Sequence, residues 1–191
     1  MFRKLLIASI LSGLSFSAIA QETGQNEPVD PVRLFNEICY SKVPSVQAIQ
    51  DMAAQLAWLP IGGEDLKQFT TLENPEKLLG WDVRFSERLF RLGVVQSALD
   101  ERADEQFPGF SGGQATTCML ILDGQDDGDW VIERMSVLAR KEPTSRAVKA
   151  EGLPTTIWSG GNDDLKVFLV LKTNDENQAS LMSVTLLAKS Q

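Results

Sequence analysis

The chain holds two cysteines, Cys39 and Cys118, and each sits in an apolar pattern of a different period. Leu34, Phe35, Ile38 and Cys39 repeat at helical spacing, which turns Cys39 inward, whereas Thr116 to Leu122 is a nearly continuous apolar run, as expected of an interior strand buried on both faces. A bond between the two sulfurs would tie the first helix to the centre of a sheet. The compartment decides whether that bond forms. Arg3 and Lys4, the apolar stretch from Leu5 to about Phe16, and Ala18-Ile19-Ala20 have the three parts of a secretory signal, with cleavage after Ala20. Residues 1–20 are expected to leave, and a periplasmic or secreted protein with an isolated cysteine pair oxidises it to a structural disulfide. A closed loop of this length is worth roughly 4 kcal/mol in the chain-entropy account. There is no C-x-x-C spacing, so a redox-active thiol is the weaker reading. The apolar stretch falls short of the about 20 residues that a spanning helix needs, and no later segment reaches that length. No stable membrane insertion is expected after signal removal, and no cysteine follows the cleavage site to carry a lipid.

Residues 21–30 are polar and aperiodic, which predicts a disordered leader, and 31–190 then read as one domain. Asp30 before Pro31 is a helix cap with proline at the first helical position. Pro44 breaks that helix, Ser45 can cap a second, and Val46, Ile49, Ala53, Leu56 and Ala57 give it an apolar stripe. Asn74-Pro75-Glu76 predicts one more helical turn closed by Gly80. From there the period becomes extended, with Trp81, Val83 and Phe85 alternating with Asp82 and Arg84, a second strand over about 89–97 and the apolar strand 116–122. Val131, Met135, Leu138 and Ala139 mark a helix ending near Lys141, and strands follow at 153–158, 165–173 and 179–188, the last two joined by the turn residues 174–177. Helices first and antiparallel strands afterwards make an α+β fold: an N-terminal helical hairpin packed on a mainly antiparallel sheet with one inserted helix.

Composition narrows the chemistry. The chain has no histidine, which removes the commonest general base and the commonest metal ligand together. Signal removal takes two of the 18 basic side chains and none of the 26 acidic ones, moving the formal charge from −8 to −10. Such a surface argues against a nucleic-acid partner. Gly109-Phe110-Ser111-Gly112-Gly113 matches the G-x-S-x-G string of serine hydrolases, but it lies before a strand in a glycine-rich loop with no histidine to act on it. Asp123, Gln125 and Asp127 place oxygens at the first, third and fifth positions of a calcium-type loop with Gly128 at the sixth, yet Arg134 stands where the closing glutamate belongs. The plainer expectation is a tight turn whose aspartates cap the next helix. No metal and no cofactor is assigned. Trp58, Trp81, Trp130 and Trp158 each adjoin an apolar segment and are expected in the core. Phe107 and Phe110, in a loop flanked by Asp104 and Glu105, are either an exposed contact site or a lid folded back on the core. The chain contains no N-x-S/T glycosylation acceptor, which suits a bacterial exported protein.

Inward Cys39 after Leu34-Phe35, Gly80-Trp81, Thr117-Cys118 opening an apolar strand, the helix after it, and Ile157-Trp158 before a terminal hairpin resemble a group of small uncharacterised exported proteins of Gram-negative bacteria. The resemblance covers most of the mature chain and implies a single periplasmic or secreted domain with one disulfide. It brings no residue role with it. The expected function is that of an exported non-enzymatic domain binding an envelope or extracellular protein or another envelope component. The alternatives are a small carboxylate-dependent hydrolase acting on cell-wall sugars or peptides and a secreted inhibitor or toxin.

Overall fold

The first helix starts where the sequence offers a helix cap. The computed structural model describes residues 29–150 and 152–190, the side chains of 147–150 excepted. The signal segment and most of the leader, residues 1–28, lie outside the described residues. Asp30 accepts hydrogen bonds from the N–H groups of Val32 and Arg33, and Pro31 takes the first position of α1 (Pro31–Phe35). Val29 and Asp30, assigned above to a disordered leader, therefore belong to the fold, and Val29 packs against the core. Helix α1 runs on into a turn of π-helix, Asn36–Tyr40, and α2 (Val46–Gln55) follows, with Ser45 Oγ accepting from the N–H of Ala48 at 3.1 Å. Leu34, Phe35, Ile38, Cys39, Val46, Ile49 and Ala53 are buried, as their helical spacing requires. The end of the second stripe departs from expectation. Helix α2 stops at Gln55, Ala57 enters the left-handed region at φ 52°, and Leu56 and Ala57 face solvent.

The strands are β1 (Leu59–Pro60), β2 (Lys77–Phe85), β3 (Arg88–Ala98), β4 (Gln114–Ile121), β5 (Ser145–Ala150), β6 (Leu153–Gly161), β7 (Leu165–Thr173) and β8 (Ala179–Ala188). They form one antiparallel sheet in the order β1-β2-β3-β4-β8-β7-β6-β5. Two meanders, β2-β3-β4 and β5-β6-β7-β8, thus meet along the β4–β8 pair in the middle. The inserted helix α4 (Gly128–Ala139) carries the chain from the central β4 to the far edge at β5. The fold is α+β, as expected, with two corrections to element type. Residues 74–80 do not make a helical turn: Leu78, Leu79 and Gly80 are already strand, and the short helical segment lies earlier, as a 3-10 turn at Gly63–Phe69. Strand β5 was not anticipated, because Pro143 and the alternating polar residues after it gave no extended apolar signal.

Residues paired directly across an antiparallel sheet share a face, so the register sorts the side chains. One row runs Leu79, Val94, Cys118, Val184, Leu169, Trp158, and the next runs Trp81, Leu92, Leu120, Met182, Leu171, Thr156. Both rows lie under α1, α2 and α4, and from Val94 onward the first row is no more than 2% exposed. Cys39, at the heart of the π-helical turn, is bonded to Cys118 in this face across 79 residues of chain, with a Cα–Cα separation of 5.4 Å. A disulfide thus joins the first helix to the sheet's centre. At the β1 edge Pro60 has no N–H to offer a neighbouring strand, which suits an exposed sheet edge. Among the described residues no helix is long and apolar enough to cross a membrane.

Candidate functional site

The opposite face of the sheet is built differently. Its rows run Gly80, Gly93, Met119, Ser183, Val170, Ile157, then Leu78, Val95, Thr117, Thr185, Phe168, Ser159. Hydroxyls and single apolar side chains alternate where the helical face is mainly apolar, with Thr116 and Thr156 as buried exceptions. Strand β4 is accordingly not buried on both sides: Thr116, Cys118 and Leu120 are buried, while Thr117, Met119 and Ile121 are only half-buried.

Two separate covers rest on this outer face. The 3-10 turn lays Phe69 onto Gly80 and Gly93, and a Cβ at Gly80 would come 2.6 Å from the Phe69 ring, so the paired glycines are the socket that lets the ring sit flat. At the other end the loop 99–113, which includes α3 (Ala103–Gln106), is closed at its base by hydrogen bonds between Leu99 and the 112–113 backbone. It folds Phe110 under the side chain of Lys189, whose Nζ lies 5.4 Å from the ring centroid. Phe110 is 1% exposed, and Phe107, half-buried, meets it edge-on at 6.2 Å and contacts Phe168 at 5.5 Å. Phe110 is therefore not an exposed contact residue. The loop folds back on the outer face of the sheet, away from the helix-covered core, with Phe110 buried and Phe107 half-buried against Phe168, because burying aromatic rings gains more than holding them in water. Ser111 sits in the same turn with its N–H on Asp104 Oδ1 at 2.7 Å.

Between the two covers the sheet is bare. A groove of about 470 Å³ has Thr117, Met119, Ser183 and Thr185 as its floor, the segment 67–71 as one wall, and Lys172 and Leu181 as the other. It continues into a smaller hollow of about 140 Å³ beside Val95 and Ala115. The hydroxyls of Thr117 and Thr185 share a hydrogen bond at 2.9 Å across the β4–β8 seam, which fixes both rotamers and leaves their remaining hydrogen-bonding capacity for a ligand. The charged residues that the strands β2, β3 and β7 place on this face are Asp82, Arg84, Arg91, Lys166 and Lys172. One acid among four bases inverts the balance of the whole chain. Arg91 lies 3.5 Å from Asp82 and donates to Gln68 at 3.1 Å, holding the 3-10 turn to the sheet.

The acidic turn before α4 is occupied by structural work. Arg88 donates from Nε to Asp123 at 2.8 Å and from its terminal nitrogens to Asp126 at 3.1 and 2.5 Å and to Asp123, with its guanidinium 4.9 Å above the Phe90 ring. These bonds, that to Asp123 first, hold the guanidinium above its already high ordinary pKa. Burial pushes the Asp123 carboxyl up, but the hydrogen bond and charge of Arg88 outweigh it and hold the group below the usual aspartate range. Asp127 caps α4 by accepting from the N–H of Trp130 at 2.9 Å, the capping expected of this turn. Gln125 is exposed. Among the described residues no group of three acidic, histidine or cysteine side chains is arranged to hold a metal.

Over α4 a wide hollow of about 840 Å³ contains Asp129, Glu133 and Glu142 with Lys141 and Arg146. All three carboxylates are exposed. Trp81 and Trp158 lie in the core as expected. Trp58 is half-buried, and Trp130 is 41% exposed because Val131 and Met135, not Trp130, occupy the inward face of α4. The groove residues Met119, Ser183 and Thr185 were not singled out from the sequence, although Met182-Ser183-Val184-Thr185 carries the alternation that separates the two faces. Comparisons of the chain with protein-family models, with curated proteins and with solved structures gave no match.

Proposed function

We propose that this chain is an exported, non-enzymatic domain that binds another envelope component, in the first place a protein, on the outer face of its sheet. The observation that carries the reading is the inequality of the two faces: a helix-sealed side, and a bare, hydroxyl-floored groove walled by the segment 67–71 with Phe69 and by Lys172 and Leu181. A rigid sheet that presents threonine and serine hydroxyls, a methionine and an excess of basic side chains suits an extended segment with neutral or acidic residues. The disulfide and the lack of a spanning helix among the described residues fit export, for which residues 1–20 supply the signal. Intact mass of the exported protein should place its first residue at Gln21 and show no free thiol.

The test is site-specific photo-crosslinking in the native envelope. A crosslinking residue at Met119 should give a discrete adduct that is absent when the residue is placed at Val137 on α4, and Thr117→Arg, which fills the groove, should abolish it. The same adducts from both positions, none at Met119, or adducts insensitive to Thr117→Arg would count against the reading.

A further inference from the structure

A second cleft lies on the helical side, far from the groove in kind as well as in face. It measures about 220 Å³ and is formed by Tyr40 at the end of the π-helical turn, Lys141 just past α4, Gly160 and Gly161 at the end of β6, and an apolar floor that includes Trp158 and Leu169. We propose that this cleft is a small-molecule site for a monoanionic ligand with a compact apolar body, an aromatic or short-chain monocarboxylate.

Three features carry the assignment. In a chain of formal charge −8 the cleft is lined by no carboxylate and by one cation. Lys141 is placed by its hydrogen bond to the carbonyl of Ser159, which uses one ammonium proton of three, and it makes no ion pair among the described residues. A carboxylate at the mouth would therefore meet a positioned donor beside an apolar floor, the few-polar-groups-in-an-apolar-cleft arrangement of small-molecule sites.

The walls are also held in place before any ligand arrives. Tyr40 follows Cys39 in the π-helical turn, a local departure from α-helix often found at functional sites, and the Cys39–Cys118 bond fixes that turn to the sheet. Trp158, on the floor, is locked by donating Nε1–H to Ser136 Oγ at 3.2 Å. At the mouth, Gly161 at φ 114° admits no side chain, since a Cβ there would run into the Leu165 carbonyl, and Gly160 leaves the space facing the Lys141 ammonium unfilled. The volume suits a single ring or a short chain, not a polypeptide segment, so this site is independent of the proposed groove.

Tyr40 is the only tyrosine in the chain, and this supplies the readout. Full chain labelled with 3-fluorotyrosine gives a single ¹⁹F resonance, to be followed while benzoate is added. The expected result is a saturable shift with benzoate, none with the neutral isostere benzamide, and affinity weakened at least about tenfold in Lys141→Gln, the size expected for one charge-assisted hydrogen bond. Lys141 is exposed, so the variant should keep the parent melting temperature, which is checked alongside. A benzoate titration without saturation up to millimolar concentration, an equal shift with benzamide, or undiminished affinity in Lys141→Gln would each overturn the assignment.

Discussion

The two faces of the sheet are made by the same eight strands, yet one carries the stability and the other is left open. On the helical face most central positions are large apolar side chains under the helices, and the disulfide lies there as well. On the outer face the same strands alternate to threonine, serine, glycine and methionine, and the covers are a 3-10 turn and a loop, each anchored by one or two aromatic rings. A sheet needs only one sealed face to fold. The second is then free to carry residues chosen for contact, and the difference between the faces can be broken experimentally at several points.

The largest effect should come from the crosslink. Replacing both Cys39 and Cys118 with alanine should cost about 4 kcal/mol in chemical denaturation, because it restores the freedom of a 79-residue separation in the unfolded chain and also leaves space at a fully buried position. Next in size is a matched pair of truncations on adjacent residues of β4. Leu120→Ala, on the helical face, should cost about 3 kcal/mol, whereas Met119→Ala, on the outer face, should cost about 1 kcal/mol or less. Equal costs would erase the distinction drawn between the faces.

Arg88 ties the β2–β3 turn to the acidic turn before α4, and Arg88→Met should cost about 2 kcal/mol at neutral pH by stranding two partly buried carboxylates. The sign of its pH dependence follows from Asp123. Its folded pKa lies below the ordinary value, so the stabilisation it draws from Arg88 is complete above about pH 4 and is lost as pH falls through the folded value. Urea melts at about pH 7 and about pH 3 should therefore show the gap between parent and variant closing in acid. The most local effect belongs to the outer-face covers. Gly93→Ala puts a methyl into the Phe69 ring and should lift the 3-10 turn for about 1–2 kcal/mol, raising hydrogen exchange in residues 63–71 while leaving α2 and α4 unchanged.

Much of the helical face was legible in the sequence because its signals are local. Asp30-Pro31 and Ser45 announce helix starts, Leu34-Phe35-Ile38-Cys39 announces an inward stripe, and the hairpin β7–β8 follows from two extended runs around residues 174–177. The outer face was not, because what distinguishes it is non-local. Met119 and Ile121 read as interior residues in an apolar run, and nothing nearby in the chain says that no helix lies over them. Gly80 and Gly93 are glycine for the sake of Phe69, which is distant from Gly93 in sequence, so Gly80 looked like a helix terminator. Phe107 and Phe110 could point either way until Phe168 was placed against the one and Lys189 over the other. Lys141 read as a helix C-terminal charge, and its place at a cleft with Tyr40 depends on two elements about a hundred residues apart.

The methionines give the most direct measurement of the inequality between the faces. Met119 and Met182 sit on neighbouring strands, one residue out of register and on opposite faces, with Met119 half-buried at the groove floor and Met182 fully buried under the helices. Under limited hydrogen peroxide, mass spectrometry of the folded protein should find Met119 converted to sulfoxide well before Met182 and the equally buried Met135. Oxidation of Met182 at the rate of Met119, or protection of both, would contradict a sheet with one sealed face and one open one.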